Sequence, residues 1–596
     1  MARNATKQDE QVSSVSKGKT LIRLFSYLLD YRGLIAVVFL IMAAATTISI
    51  INPLIIERAI IVNIANSDTR GLIILGSVGI GLNLVLVFLI KARMYLMAKM
   101  SNDVLAKVRK QLYEHIQTLG FGFFDSRPTG KILSRIMGDV NSMKDVLSNS
   151  VTTLIPDAVT LIAVVIIMMM KDWRLGLASL WSLPIMIVGI WTVQTRSHKG
   201  WQDFRKKNSN LNAFIHEDVA GIKIVQSFNA EKETQKTFDG LVEEHYGSFI
   251  RAVRWADLFG PVTDICWAVG LIAMYYVGVR VLGIENVQVG TLVAFASYVG
   301  MFWMPVMHLS NLYNQLVTNV AGAERIFEVL DTEPEITDDQ ADCDLPEVRG
   351  AVEFEHVSFH YDDDPDVLHD VNFRVKPGEM IALVGPTGAG KSTIVNLISR
   401  FYDVQEGRIL IDGYDIREVT IDSLRRQLGV MTQENFLFTG TIRENIRYGR
   451  LDATDEEIEA AAKAVNAHDF IMKLEKGYDT EIAERGAGMS AGERQLIAFA
   501  RTMISNPKIL ILDEATSSID THTEILVQKG IEAILRGRTS FVIAHRLSTI
   551  RNADKIFVID DGGIKEAGTA EELMALRGAY YDLYMAQFNL DEDIAS

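Results

Sequence analysis

The chain has only two cysteines in 596 residues, Cys266 in an apolar run and Cys343 in an acidic stretch. That pair supports neither a disulfide framework nor a thiolate metal site, and the water-soluble part is expected in a reducing compartment. Positive charge is in deficit too: 59 Lys and Arg stand against 75 Asp and Glu, a net charge of −16. Nucleic-acid phosphates need a basic patch, so no nucleic-acid partner is expected. No cleavable signal peptide is read near the N-terminus. With 48% hydrophobic residues beside 22% charged ones, a wholly soluble or disordered chain is excluded.

What is present is unevenly distributed. Residues 1–330 hold 32 Lys and Arg against 25 Asp and Glu, and residues 331–596 hold 27 against 50, giving +7 and −23. The length implies two or more domains, and the charge split implies two surroundings. Six stretches of the first part reach the 20 or so residues that a bilayer crossing needs. They run approximately from Gly33 to Ile51, Gly71 to Ile90, Val151 to Met170, Leu175 to Val193, Val262 to Val279 and Thr291 to Leu309. Six such runs are too many for the buried helices of a soluble protein. Lys and Arg number 6 in the tail to Arg32, 10 in Lys91 to Ser150 and 10 in Gln194 to Leu258, against 2, 2 and 1 in the alternate loops. By the positive-inside rule both termini, both long loops and the acidic half face the cytoplasm of a multi-pass membrane protein, with a bacterial plasma membrane expected. The run from Leu21 to Leu29 is amphipathic and suits the membrane interface.

The two long loops hold polar, helix-favouring residues and no Gly/Pro-rich stretch long enough for another domain. They are expected to prolong the flanking helices roughly 40 Å beyond the bilayer as levers, at 1.5 Å per residue. Phe121 to Gly130 and Asp218 to Ile222 are the turning points, either coupling elements or plain hairpin turns. Within the spans, Asp157, Asp264 and Asn83 are candidates for a substrate path, since a carboxylate or amide in lipid is costly. Each Asp closely follows a proline, Pro156 or Pro261, so capping of free helix N–H groups is the expected role. Trp267, Tyr275, Tyr276, Met301, Phe302, Trp303 and Met304 read as helix packing or an interfacial belt ahead of an adaptable binding surface.

Asp331 to Leu345 is acidic, contains Pro334, lacks periodicity and reads as a linker. Strand and helix patterns of an α/β domain follow. The apolar strand Ile381 to Val384 runs into Gly385-Pro386-Thr387-Gly388-Ala389-Gly390-Lys391-Ser392-Thr393, and Ile394 to Ser399 reads as helix. This is a phosphate-binding loop in its proper setting. Its glycines let backbone N–H groups close on phosphate oxygens, the helix N-terminus adds positive potential, Lys391 reaches the β and γ phosphates, and Ser392 binds Mg²⁺. A second apolar strand, Lys508 to Leu512, ends in Asp513 and Glu514. Asp513 is read as holding Mg²⁺ and Glu514 as orienting the attacking water, which points to ATP hydrolysis with ATP and Mg²⁺ bound.

Together these elements resemble the ATP-binding-cassette (ABC) exporters, as a half-transporter, over nearly the whole chain. The resemblance implies that Tyr361 stacks on adenine and that Gln433 senses Mg²⁺ and the attacking water. It implies that Met489 to Gln495 is the signature, with Ser490, Ala491, Gly492 and Glu493 facing the ATP of another subunit. Ser518-Ile519-Asp520 resembles the D-loop and His545 the switch histidine. Phe124, Pro128 and Gly130 in the first loop and Gly221 in the second match coupling turns, and Glu484-Arg485-Gly486 resembles the loop that touches them. The departure is Ala491-Gly492-Glu493 where Gly-Gly-Gln is usual. One six-helix set, one phosphate loop and one signature imply a dimer. Glu493 beside polyphosphate favours a heterodimer, with a second half-transporter, over a homodimer. The expected fold is an all-α six-helix transmembrane domain (33–330) with long cytoplasmic helical loops. An α/β P-loop ATPase domain with a helical subdomain follows (346–596), with a tail and interfacial helix (1–32) before and a linker (331–345) between. The expected function is ATP-driven export or flipping of a hydrophobic or amphipathic small molecule, lipid or peptide, with multidrug transport within the class. The alternatives are an ATP-gated channel or a non-transporting membrane regulator and, within the exporter reading, a lipid or peptide exporter rather than a multidrug exporter.

Overall fold

The computed structural model describes residues 17–283, 287–361, 366–432, 435–513, 521–543 and 550–586. The chain forms two compact units. One comprises Asp9–Ile116 with Gly130–Asp331, and the other joins Gln117–Thr129 to Thr332–Ser596.

The first unit is helical because its sequence is a series of apolar runs whose backbone, in lipid, has only its own helix to bond to. The helices are α1 (Lys17–Ser26), α2 (Arg32–Arg58) and α3 (Thr69–Ile116), then, after a short α4 (Phe121–Asp125) that belongs to the other unit, α5 (Thr129–Ser134). There follow α6 (Val140–Asn149), α7 (Ile155–Lys171), α8 (Trp173–Leu180), α9 (Leu183–Ala220), α10 (Ile222–Ser227), α11 (Glu231–Ala256), α12 (Phe259–Tyr276) and α13 (Val289–Leu330). Among the described residues, six helical runs are long and apolar enough to cross a membrane; five contain their expected crossings whole, and the sixth, Val289–Val306, covers the expected Thr291 to Leu309 as far as Val306. A run of 48 residues such as Thr69–Ile116 extends about 72 Å at 1.5 Å per residue, more than twice the ~30 Å hydrocarbon core. The expected levers are therefore present. Burial along α3 shows the change of surroundings. Its apolar residues Ile73, Leu84, Val87 and Phe88 are exposed, whereas Met97, Met100, Val104, Val108 and Leu112, three or four apart, are buried.

Small residues bring the helices close. A Cβ on Gly270 of α12 would stand 2.6 Å from the Ser179 carbonyl of α8, and one on Gly290 of α13 would stand 2.9 Å from the Glu57 carbonyl of α2. The levers α9 and α11 meet where a Cβ on Gly200 would lie 2.9 Å from the Ala252 Cα, and Lys207–Glu244 (2.5 Å) and Arg251–Asp203 (3.0 Å) bridge them. The amphipathic α1 buries Leu24, and its Arg23 covers Phe327 of α13 at 4.3 Å and pairs with Asp331 at 2.6 Å. Phe302 and Trp303 are buried packing residues, in line with expectation, while Tyr276 and Met304 are exposed.

The capping role expected of the two aspartates is corrected. Asp157 bonds His308 of α13 at 3.0 Å, and the N-cap position of α7, Leu154, has no side-chain cap. Asp264 lies beyond the first turn of α12, too deep to reach the free N–H groups there. Asn83 faces Asn52 of α2, each amide donating to the other's oxygen at 3.2 and 3.3 Å. In hydrocarbon a polar side chain finds its partner on the neighbouring helix.

The second unit carries β1 (Val352–Phe359), β2 (Leu368–Val375), β3 (Met380–Val384), β4 (Glu406–Ile411), β5 (Tyr414–Asp415), β6 (Leu428–Met431), β7 (Gly440–Thr441), β8 (Glu481–Ile482), β9 (Ile509–Asp513), β10 (Thr539–Ile543), β11 (Lys555–Asp560) and β12 (Gly563–Gly568). The six-stranded sheet runs β12-β11-β3-β10-β9-β6, parallel except for β12, and β2-β1-β4-β5 form an antiparallel sheet. Strands β3, β9 and β10 are almost continuously buried, as a parallel sheet covered on both faces requires. α14 (Lys391–Ile398) follows β3. The helical subdomain contains α16 (Ile442–Arg447), α17 (Asp455–Ala464), α18 (His468–Lys473) and α19 (Ala491–Ser505), after a short α15 (Ile421–Arg425). The linker is strapped to this unit. Asp342 N–H donates to the Glu418 carbonyl (2.8 Å), Leu345 N–H to Ser423 Oγ (2.8 Å), and Asp338 accepts from the Ile421 N–H (2.8 Å).

Candidate functional site

The parallel register places the end of β3 between β10 and β11, and the glycine-rich loop leaves from that end. Gly385 sits so close to β11 that a Cβ would come within 2.0 Å of the Ile559 carbonyl, so only glycine fits. Gly390 precedes α14 at φ +102, the left-handed region, and supplies no side-chain cap to the helix. The first N–H groups of α14 thus point into the loop with the positive end of the helix dipole behind them. Thr387, Gly388 and Ser392 are exposed, and Ala389, Gly390, Lys391 and Thr393 are buried. The Lys391 ammonium donates to the carbonyls of Gly385 (2.8 Å) and Pro386 (2.7 Å). Burial pushes its pKa below the usual lysine value, and the nearby Asp513 carboxylate pulls it partly back. Asp513 ends β9 opposite Ile543 of β10. Tyr361 stands beside the loop, its hydroxyl 3.1 Å from Thr393 Oγ1. These residues therefore come together as a cradle for a polyphosphate with an aromatic ring at its side. Glu514, His545, Gln433 and Asp520 lie outside the described residues.

The signature segment forms the start of α19. Ser490 is the N-cap, its Oγ accepting from the Glu493 N–H at 3.2 Å, while the Glu493 carboxylate accepts from the Ser490 N–H at 2.8 Å. This reciprocal capping box ties Glu493 to the start of its own helix. Ala491 follows the cap and Gly492 is buried.

The first loop turn is the other element of interest. α4 sets the Phe121 ring 4.2 Å from Phe401 and offers Asp125 to the Tyr402 hydroxyl. A Cβ on Gly122 would stand 2.7 Å from a Glu335 carboxylate oxygen, so glycine admits the linker. Burial and the Asp125 carboxylate push the Tyr402 hydroxyl far above the ordinary phenol range. Phe124 and Pro128 are exposed in this turn, whereas Gly130 belongs to α5 in the other unit. Gly221 ends α9 at φ −91, and the α10 that it opens has no buried residue. Sequence reading missed Phe401, Tyr402 and Glu335; the only signal was an aromatic pair directly after the phosphate-loop helix.

Comparison with known proteins agrees with this geometry. The description "ABC transporter transmembrane region" matches residues 34–306 and "ABC transporter" matches residues 368–517. An uncharacterised ABC transporter ATP-binding protein of Bacillus subtilis, YknV, is 39% identical over 98% of this chain and 96% of its own length. The ATP-dependent lipid A-core flippase of Syntrophus aciditrophicus is 40% identical, covering 86% of each chain. A bacterial Atm1-family ABC exporter, solved with ATP bound, matches at a TM-score of 0.77 with 29% identity, over 93% of this chain and 98% of that one. A transmembrane region and an ATP-binding cassette fused in one polypeptide, with relatives of the same build along nearly its whole length, mean that the chain belongs to the ABC transporter family, as an exporter half-transporter and ATPase of the membrane.

Proposed function

We propose that the protein is one half of a dimeric pump that exports or flips a hydrophobic or amphipathic compound, with a lipid-like substrate favoured. The fusion of six spans on long levers to a single phosphate loop and a single signature carries this reading. The 40% identity to a lipid A-core flippase supports the lipid preference. A need for a second subunit is supported by Ile224 of α10 and Phe228 just after it, 65% and 79% exposed, and by the exposed aromatic surface of Phe436, Phe438 and Tyr448. Large exposed apolar patches in a water-facing region mark interaction surfaces. Glu493 at the signature supports a heterodimer.

In the mechanism, N–H groups of Gly388 to Thr393 and Lys391 bind the phosphates, and Tyr361 orients the base. Ser392 and Asp513 form an oxygen-only donor set suited to Mg²⁺; bound there, the ion would neutralise charge on the transferring phosphoryl group. Glu514 orients the attacking water, Gln433 and His545 act at the γ phosphate, and Ser490 with Gly492 completes the site of the other subunit, with Asp520 at the junction. Closure of the two ATPase domains turns the levers and opens the path outward, and hydrolysis resets it. The cytoplasm holds the ATPase domain and both termini. The test is an ATPase and transport screen of the reconstituted dimer in liposomes against lipids, drugs and peptides. Stimulation with movement of a lipid is the expected result; ATP-dependent ion conductance without substrate movement would replace the pump with a channel.

A further inference from the structure

Three consecutive residues that follow the phosphate-loop helix tie the linker and the first turn to the nucleotide-binding unit. Arg400, 2% exposed, donates to the carbonyls of Val419 (3.0 Å) and of the linker residue Thr337 (3.3 Å). Phe401 packs on Phe121 of the first turn, and the Arg425 guanidinium covers its ring at 5.3 Å. Tyr402 donates its hydroxyl to Asp125 of the same turn and meets Tyr361 edge to face, with centroids 5.1 Å apart and planes at 88°. Tyr361 is fixed on its other side by Phe359 at 4.8 Å and by its hydroxyl contact to Thr393 of α14.

The chain of contacts from Tyr361 to the turn is directional. An edge-to-face pair depends on ring orientation, because the positive edge of one ring must meet the negative face of the other. A base stacked on Tyr361 restricts that ring and, through the edge contact, the ring of Tyr402. The Tyr402 hydroxyl at the far end is then held towards Asp125 by a charge-assisted hydrogen bond. We propose that Tyr402 is a positioning residue that makes docking of the Gln117–Thr129 turn depend on the base of the bound nucleotide, so that a poorly stacking pyrimidine nucleotide is hydrolysed without holding the turn. This rests on the adenine-stacking role proposed for Tyr361 and on the coupling role proposed for the turn. Phosphate binding is separate, since Tyr402 has no part in the cradle around Lys391.

The test is amide hydrogen exchange of residues 117–129 in the full-length transporter, with its partner subunit if it needs one, carrying Glu514→Gln to retain nucleotide. Saturating ATP is expected to slow exchange in this segment, and saturating UTP is expected to leave it unchanged. Tyr402→Phe keeps the ring contact but loses the hydrogen bond. It is expected to reduce the ATP-dependent protection about tenfold, as loss of one charge-assisted bond implies, with ATP affinity retained. Asp125→Asn, which keeps a neutral acceptor oxygen, should retain more of the protection than Asp125→Ala; this pair carries the test if Tyr402→Phe does not fold. Equal protection by UTP, or full protection in Tyr402→Phe, would overturn the proposal. Loss of ATP affinity in Tyr402→Phe would overturn it in favour of a direct nucleotide contact. No effect of ATP on the segment in the Glu514→Gln parent, with ATP shown bound, would overturn the coupling role of the turn itself.

Discussion

At the scale of single residues, the nucleotide site separates binding from hydrolysis. In the proposed mechanism Lys391 and the loop amides hold phosphate, whereas Glu514 acts on water. Glu514→Gln should therefore leave ATP binding intact and lower turnover about a hundredfold or more, the usual weight of a positioned general base. Lys391→Ala should instead weaken ATP binding about 10- to 100-fold, the worth of a charged hydrogen bond; nucleotide binding and phosphate release measured on both variants separate the two roles. Glu493 raises a different question. Its carboxylate is tied to the Ser490 N–H, so it does not swing free, yet it stays at the end of α19 that would face polyphosphate. A unit charge about 6 Å from a phosphate charge costs about 3 kcal/mol at an effective dielectric of 20. Glutamine retains the capping oxygen and removes the charge, so Glu493→Gln should raise dimer ATPase severalfold without lowering the melting temperature. Unchanged turnover would show that the charge is already screened.

At the scale of elements, helix starts and levers account for most of the architecture. The pattern Ser/Thr-x-x-Glu opens α16, α17 and α19 with complete capping boxes at Thr441, Thr454 and Ser490. These starts are legible in sequence because donor and acceptor are three residues apart. The first loop turn is of the other kind. Its phenylalanines, Asp125 and glycines make a recognisable turn, but what it docks on lies far along the chain: Phe401 and Tyr402 are brought to it by the end of α14, and Glu335 by the linker. Phe124 remains exposed in the turn. Phe124→Ala is accordingly expected to lower substrate transport by about fivefold or more, within the range of allosteric couplings, with basal ATPase little changed. Equal loss of both activities in a folded variant would make the turn merely structural.

At the scale of the whole molecule, one chain supplies one phosphate loop and one signature, so function depends on a second subunit. Expressed alone, this chain should aggregate or show little substrate-stimulated ATPase until a second half-transporter restores it. A stable dimer of this chain alone with robust stimulated ATPase would overturn the heterodimer preference. By itself the sequence determined the six crossing-length apolar helices, the α/β cassette and the phosphate cradle, because hydropathy runs and a glycine-rich loop between strand and helix act over short stretches of chain. Only the tertiary structure decided the partners of isolated polar groups. Asp157 found His308 and Asn83 found Asn52 on neighbouring helices, and Tyr402 joined Tyr361 to Asp125. A side chain reaches only a few ångströms, and which distant residue falls within that reach is set by how the helices and sheet pack, information that no local pattern carries.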